Sequence, residues 1–207
     1  MRALMAVGLV AAIGALRGRG RGSMAIPKVR SLREADIAGA RIRNVDLSGV
    51  DLALSKISNS RMEGAMLRGA NFSGARISNS NFSGSDLSGA IFTGSNLSGS
   101  NFSYSFLVGA NFFLADMMWC ILRLANLSDA NLAGANLSHA CLVGANLSGA
   151  NLVSANLSSS DLRDANLSDA RLDFANLREA LYSIKTKFPA GFSAVEAGMH
   201  LNNGLTG

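Results

Sequence analysis

From Ala35 to Ile184 the chain repeats every five residues without an insertion or deletion, thirty units in 150 residues. The centre of each unit is apolar: Ile37, Ile42, Leu47, Leu52, Ile57, Met62, Leu67, Phe72 and onward to Leu172, Leu177 and Tyr182. Two residues before each centre stands a small residue, usually Ala or Ser, and between them lies Asn, Asp or, less often, Arg. The two residues after it are mostly Ser, Gly, Asp or Asn. A period of five is neither helical nor that of a long strand. Small, polar, large is strand alternation, inward, outward, inward, and the next two positions carry turn-forming residues. Each unit is therefore predicted to be a very short strand followed by a corner, so the chain must coil. An α-helix would scatter the apolar centres around its circumference.

Units such as ANLSG, ANLSD, ANFSG, SDLSG and SNLSG resemble the A(D/N)LXX pattern of the pentapeptide-repeat family. The resemblance implies an all-β solenoid, a right-handed quadrilateral β-helix with four units per coil. Thirty units then make 7.5 coils, and a rod roughly 36 Å long at the usual strand spacing. The phenylalanines supply a check. Phe72, Phe82, Phe92, Phe102 and Phe112 occupy alternate centres. On a four-sided coil Phe72, Phe92 and Phe112 stack on one wall, and Phe82 and Phe102 on the opposite one. Arg41, Arg61, Arg76 and Arg171 fall in outward slots, which tolerate them.

The expected organisation is a leader over 1–23, an N-terminal cap over 24–34, the repeat body over 35–184, and a C-terminal cap and tail over 185–207. A solenoid leaves an open sheet edge at each end, and both need covering. At the C-terminal end Phe188 and Phe192 are expected to plug the last coil. Ser193 and Glu196 form a capping-box spacing that predicts a short helix over 194–199. Ser31 and Glu34 form a second such spacing before the first unit, with Ile26, Val29 and Leu32 as candidate cover. Residues 3–16 are an uncharged apolar stretch followed by RGRGRG. Fourteen residues are short for a membrane span. Three readings stay open: an export signal or membrane anchor, an organelle transit peptide, or a chain that begins at Met24. Localisation follows that choice, cytoplasmic or exported and membrane-attached, and membrane association is expected only through residues 1–22.

The net charge of +5 belongs to the ends. Residues 35–184 hold ten Lys/Arg against twelve Asp/Glu, whereas residues 1–34 hold seven basic residues against Glu34. A body without a basic excess argues against nucleic acid as a partner. No phosphate-cradling or dinucleotide motif is present. The outward carboxylates of Asp36, Asp46, Asp51, Asp86 and Asp116 lack the burial that tunes a general acid or base. Cys120 takes an inward slot and Cys141 an outward one on the same wall, so both are expected as free thiols. His139 falls on a corner and His200 in the tail without an evident partner. No cofactor, metal or catalytic residue is expected, and the chain reads as a non-enzyme.

One run departs from the pattern. Tyr104, Phe106, Val108, Phe113, Leu114, Met118, Trp119, Ile121 and Leu124 place apolar side chains in slots that face outward. Together they form an expected girdle around one mid-rod coil, a candidate contact surface for an unidentified protein or a second copy. The competing reading is that corner side chains fold back onto the rod. A non-enzymatic scaffold or interaction module is the leading function. The alternatives are a peripheral membrane or lumenal structural protein, and the DNA-mimic inhibition of DNA gyrase that the family resemblance suggests. The near-neutral body disfavours the latter.

Overall fold

The computed structural model describes residues 30–203; the expected leader, Ile26 and Val29 lie outside them. Every backbone bridge from Ser31↔Asp51 to Asp161↔Leu181 is parallel and joins residues twenty apart. Twenty residues are four units, so the coil is four-sided. We number the faces by their outward residues: face I carries Asp51, Asn71 and Ile91, face II Lys56, Arg76 and Asn96. Face III carries Arg41, Arg61 and Asn81, and face IV Met66, Asp86 and Phe106.

One unit shows how the residue pattern makes the corner. The amide of the centre Leu107 donates to the Asn126 carbonyl of the next coil at 2.7 Å, and Asn126 N–H donates back to Ser105 at 2.9 Å. Ala110 N–H closes a β-turn onto Leu107 O at 3.0 Å, and Gly109 N–H reaches Ser128 O at 2.9 Å. Where Asn or Asp holds the outward slot, its side-chain oxygen takes the remaining amide, as in Ser128 N–H to Asn126 Oδ1 at 3.1 Å. All five amides of such a unit are then paired, as buried or close-packed backbone requires. The Asn side chains also bond one another from coil to coil. Asn131 donates to Asn111 and Asn151 to Asn131 on face I, and Asn146 to Asn126 and Asn166 to Asn146 on face IV.

The interior is a stack of the unit centres. From Leu52 to Leu167 every centre is fully buried, each contributing on the order of 1.5–3 kcal/mol. Phe72, Phe92 and Phe112 stack face to face with centroids 4.8 Å apart, and Phe82 on Phe102 at 5.1 Å. The two columns meet edge to face at 6.1 and 6.2 Å. On the wall of face III the small slot is a column of Ser60, Ser80 and Ser100 whose hydroxyls donate to carbonyls of the preceding coil, and Cys120 continues it with its thiol on Leu97 O.

Both ends differ from the sequence reading. Residues 30–34, assigned there to a cap, form a further coil unit. Ser31 bridges Asp51, Leu32 is buried in the core and Glu34 takes the corner with φ 59°. Ser31 and Glu34 therefore belong to the coil and build no helix cap. At the other end β1 (Leu181–Tyr182) pairs in parallel with β2 (His200–Leu201), nineteen residues on. One residue is added before Lys187, which bridges Asn166 and places Phe188 next in the wall-IV column after Leu167. Phe188 and Phe192 stack at 5.0 Å, half-buried against the core. The expected helix over 194–199 is instead a run of turns. Ser193 Oγ does accept Glu196 N–H, but Gly198, at φ 72°, ends the segment after one α-type bond, Ala197 N–H to Ser193 O. Too few amides lie between cap and terminator to propagate a helix. Met199 is then turned inward and buried.

Candidate interaction surface

The girdle residues are outward because alternation leaves them no other direction. Leu107, Phe112, Met117 and Leu122 fill the interior of their coil, and the slots between are thrown into solvent. Eight of the nine are exposed: Tyr104, Phe106, Val108, Phe113, Leu114, Trp119, Ile121 and Leu124. Met118 is half-buried. Fifteen large apolar side chains are exposed among the described residues, so this run of twenty-one residues carries more than half of them. They are spread over all four sides. Tyr104 and Leu124 share a corner on successive coils, flanked by Ile121 on face III and by Phe106 on face IV, and Val108 stands at the corner after Phe106. Phe113 with Leu114, and Met118 with Trp119, hold two further corners.

The fold gains little from this arrangement and loses on two counts. Phe106 and Ile121 replace the Asn or Asp whose side chain would accept the amide two residues on. The outward slot therefore offers Val108 and Arg123 no acceptor there. Tyr104, Leu114, Trp119 and Leu124 sit at φ between 55° and 61°, in the left-handed region where glycine is at ease and an L-residue with a long side chain costs roughly 1–2 kcal/mol. Several of the corner side chains do fold back. Leu114 and Leu124 each reach over the glycine of the coil above, so close that a Cβ on Gly134 or Gly144 would lie 2.8 or 2.7 Å from the leucine Cδ2. Trp119 lies flat on His139 at 4.3 Å, a pairing the sequence reading did not foresee. Even so, Leu114 and Trp119 each keep 58% of their surface open and Leu124 48%.

Elsewhere the chemistry is quiet. Cys120 is buried, and burial pushes its thiol up to about 12, so it is protonated and inert at neutral pH. Cys141 is a half-buried free thiol. His200 has a partner after all, Glu179 Oε2 at 2.6 Å. Among the described residues no group of His, Cys, Asp or Glu side chains is placed to hold a metal ion. Two shallow hollows near the C-terminal end are lined by Arg123, Arg163 and Asn202, and by Leu172, Pro189 and Phe192. The Arg43 guanidinium, donating from Nε and Nη2 to the two oxygens of Glu63 at 2.8 and 2.7 Å, holds that carboxyl below its usual range.

Sequence reasoning passed over one feature. Arg41 bridges Arg61 on face III, and Lys56 bridges Arg76 on face II. Cation stands on cation in neighbouring coils. The signal was available as a spacing of twenty; summing charge over the whole body hid it.

The fold is shared with solved structures. HetL, a pentapeptide repeat protein involved in heterocyst differentiation regulation from the cyanobacterium Nostoc sp. strain PCC 7120, aligns over 83% of this chain and 86% of its own. Its identity is 23% and the TM-score 0.62. A trypsin-treated form of QnrB1, a plasmid-mediated fluoroquinolone resistance protein, aligns over 84% of this chain and 88% of its own, at 24% identity with a TM-score of 0.75. These likenesses establish the architecture, a right-handed quadrilateral β-helix. A comparison with curated protein sequences finds no match. The family model for pentapeptide repeats matches residues 46–84, 80–117, 110–149 and 145–181, in eight copies. The chain belongs to the pentapeptide-repeat family.

Proposed function

We propose that this pentapeptide-repeat rod is a non-enzymatic scaffold that binds a protein, a second copy of itself included, through the girdle of residues 104–124. The observation that carries the reading is the cost of the girdle to its own fold. A coil that needs only small polar residues outside instead exposes Tyr104, Phe106, Phe113 and Trp119, and gives up side-chain acceptors and relaxed corners to do so. Rule-breaking positions without an internal gain mark functional surface, and exposed aromatics are the usual anchors of protein contacts. The rigid interior serves to hold those anchors at fixed separations.

The test is site-specific photo-crosslinking in the native host. A benzophenone side chain at position 106 is expected to yield a discrete protein adduct, and one at position 166, on the same face three coils on, none. Equal adduct patterns from both positions would remove the girdle as the contact surface.

A further inference from the structure

The first two and a half coils carry charge that the sum over the body conceals. Residues 30–79 hold eight Arg/Lys against five Asp/Glu, and residues 80–184 four against eight. Within that first stretch the charge is also divided across the rod. Faces II and III carry Lys56, Arg76, Arg41 and Arg61, all exposed, with Asp36 as the acid in their outward slots, whereas faces I and IV carry Asp51 and Asp46 and no basic residue in theirs. The two cationic pairs are in register, about 4.8 Å apart along the axis. Like charges directly opposite one another are destabilising.

Internal counter-charge is small. Lys56 reaches Asp36 at 3.6 Å, with both side chains more than half exposed, a contact worth little in water. Glu63 feels Arg61 but spends both oxygens on Arg43. Arg41, Arg61 and Arg76 form no ion pair among the described residues. The corner between faces II and III holds only Ala38, Gly39, Ser58, Asn59, Ser78 and Asn79. Long cationic arms from two flat faces can therefore converge past a low ridge onto one plane.

We propose that this ridge, with Arg41, Arg61, Lys56 and Arg76, docks the rod on an anionic lipid bilayer. The patch has the properties such a surface asks for and lacks those of the other polyanion binders. It contains no aromatic side chain to stack a base and no apolar anchor to seat an acidic protein. A bilayer requires only charge near its plane, and each Lys or Arg there strengthens binding roughly fivefold, the equivalent of about 1 kcal/mol. The sequence just before the ridge has the same character, a 14-residue apolar stretch followed by RGRGRG. Basic residues next to an apolar segment are the sequence sign of anionic-lipid contact. The acids on faces I and IV would turn the rod so that the ridge, and not the opposite side, meets the surface. Membrane contact on this proposal is made by the folded rod itself and does not depend on residues 1–22. The inference stands apart from the girdle, which lies on later coils.

Co-sedimentation of the full chain with vesicles tests it. Vesicles of phosphatidylcholine with about one-third phosphatidylserine are expected to bind the chain, and to bind the variant R41Q/K56Q/R61Q/R76Q on the order of several hundredfold more weakly at low salt. The variant R123Q/R163Q/R171Q/R178Q removes the same charge from the distal coils and is expected to stay within about threefold of the wild type. All of the four proximal positions are outward, so both variants keep the coil, which circular dichroism confirms before binding is read. Three results would overturn the proposal: a proximal variant that binds like the wild type, two variants that weaken equally, or duplex DNA held more tightly than the vesicles at the same salt and released by the proximal variant.

Discussion

The coil over 105–124 and the coil over 125–144 share a skeleton and a buried apolar interior and differ most in what they show to solvent. Inside, Leu107, Phe112, Met117 and Leu122 of the first match Leu127, Leu132, Leu137 and Leu142 of the second, all fully buried. Outside, the second coil presents Asn126, Asn131 and Asn136. Each accepts the amide two residues on and bonds the corresponding Asn of the next coil. The first keeps Asn111 and Asp116 but presents Phe106 in the slot of Asn126, Ile121 in the slot of Cys141, and large residues at its corners. The backbone is indifferent to the exchange because the interior alone sets it. That separation lets a solenoid devote one coil to recognition while its neighbours stabilise the rod.

The comparison is tested first from within. Met117→Ala and Leu137→Ala remove equivalent centres on one wall, and each is expected to cost about 2–5 kcal/mol in urea unfolding. Agreement to within about 1 kcal/mol is expected if the interiors are equivalent; a girdle-coil centre that is far less costly would mean the two cores differ.

The corners should respond with opposite signs. Gly144→Ala forces a Cβ into φ 65° and against Leu124, so a loss of about 1–2 kcal/mol is expected. Tyr104→Gly relieves a left-handed corner at φ 59°, and a gain of up to about 1 kcal/mol is expected. Thermal unfolding of the two variants side by side gives both signs.

Exchanging the outward residues is subtler. Phe106→Asn restores the acceptor for Val108 N–H and is expected to stabilise by about 0.5–1.5 kcal/mol, while Asn126→Phe loses a comparable amount. A stabilising Asn126→Phe would show that the side-chain bonds of the quiet coil contribute nothing.

The smallest effect lies at the surface pair Arg43–Glu63. Glu63 is held below its ordinary range in the folded chain. Its contribution is therefore present above the unfolded carboxyl range near 4.3 and lost as pH falls through the lower folded value. Glu63→Gln is expected to cost less than about 1 kcal/mol at pH 7 and nothing at pH 2. A difference of the same size at both pH values would mean that Glu63 acts through packing.

Much of this was legible in sequence because a five-residue period admits one kind of backbone. The buried centres, the phenylalanine columns and the exposed mid-rod slots follow from phase alone. What escaped depends on neighbours twenty residues away or on short-range competition. Ser31 to Glu34 reads equally as a helix cap or as a repeat unit whose small slot is Arg30, and only the bridge to Asp51 decides. The 194–199 segment makes the Ser193 cap bond but is cut short by Gly198. Met118 is half-buried although its slot faces out. The stacking of Trp119 on His139, and of Arg41 on Arg61, appears only when the chain is read down each face rather than along its length.

The most direct measurement joins stability and association in one variant. F106S/F113S/W119S is compared with the wild type by urea unfolding and by sedimentation velocity in the presence of the crosslinked partner, which for self-association is the chain itself. The expected result is an unfolding free energy within about 1 kcal/mol of the wild type together with loss of the complex. A fall of several kcal/mol, or a complex that survives intact, would contradict the separation of a stabilising interior from a recognising exterior.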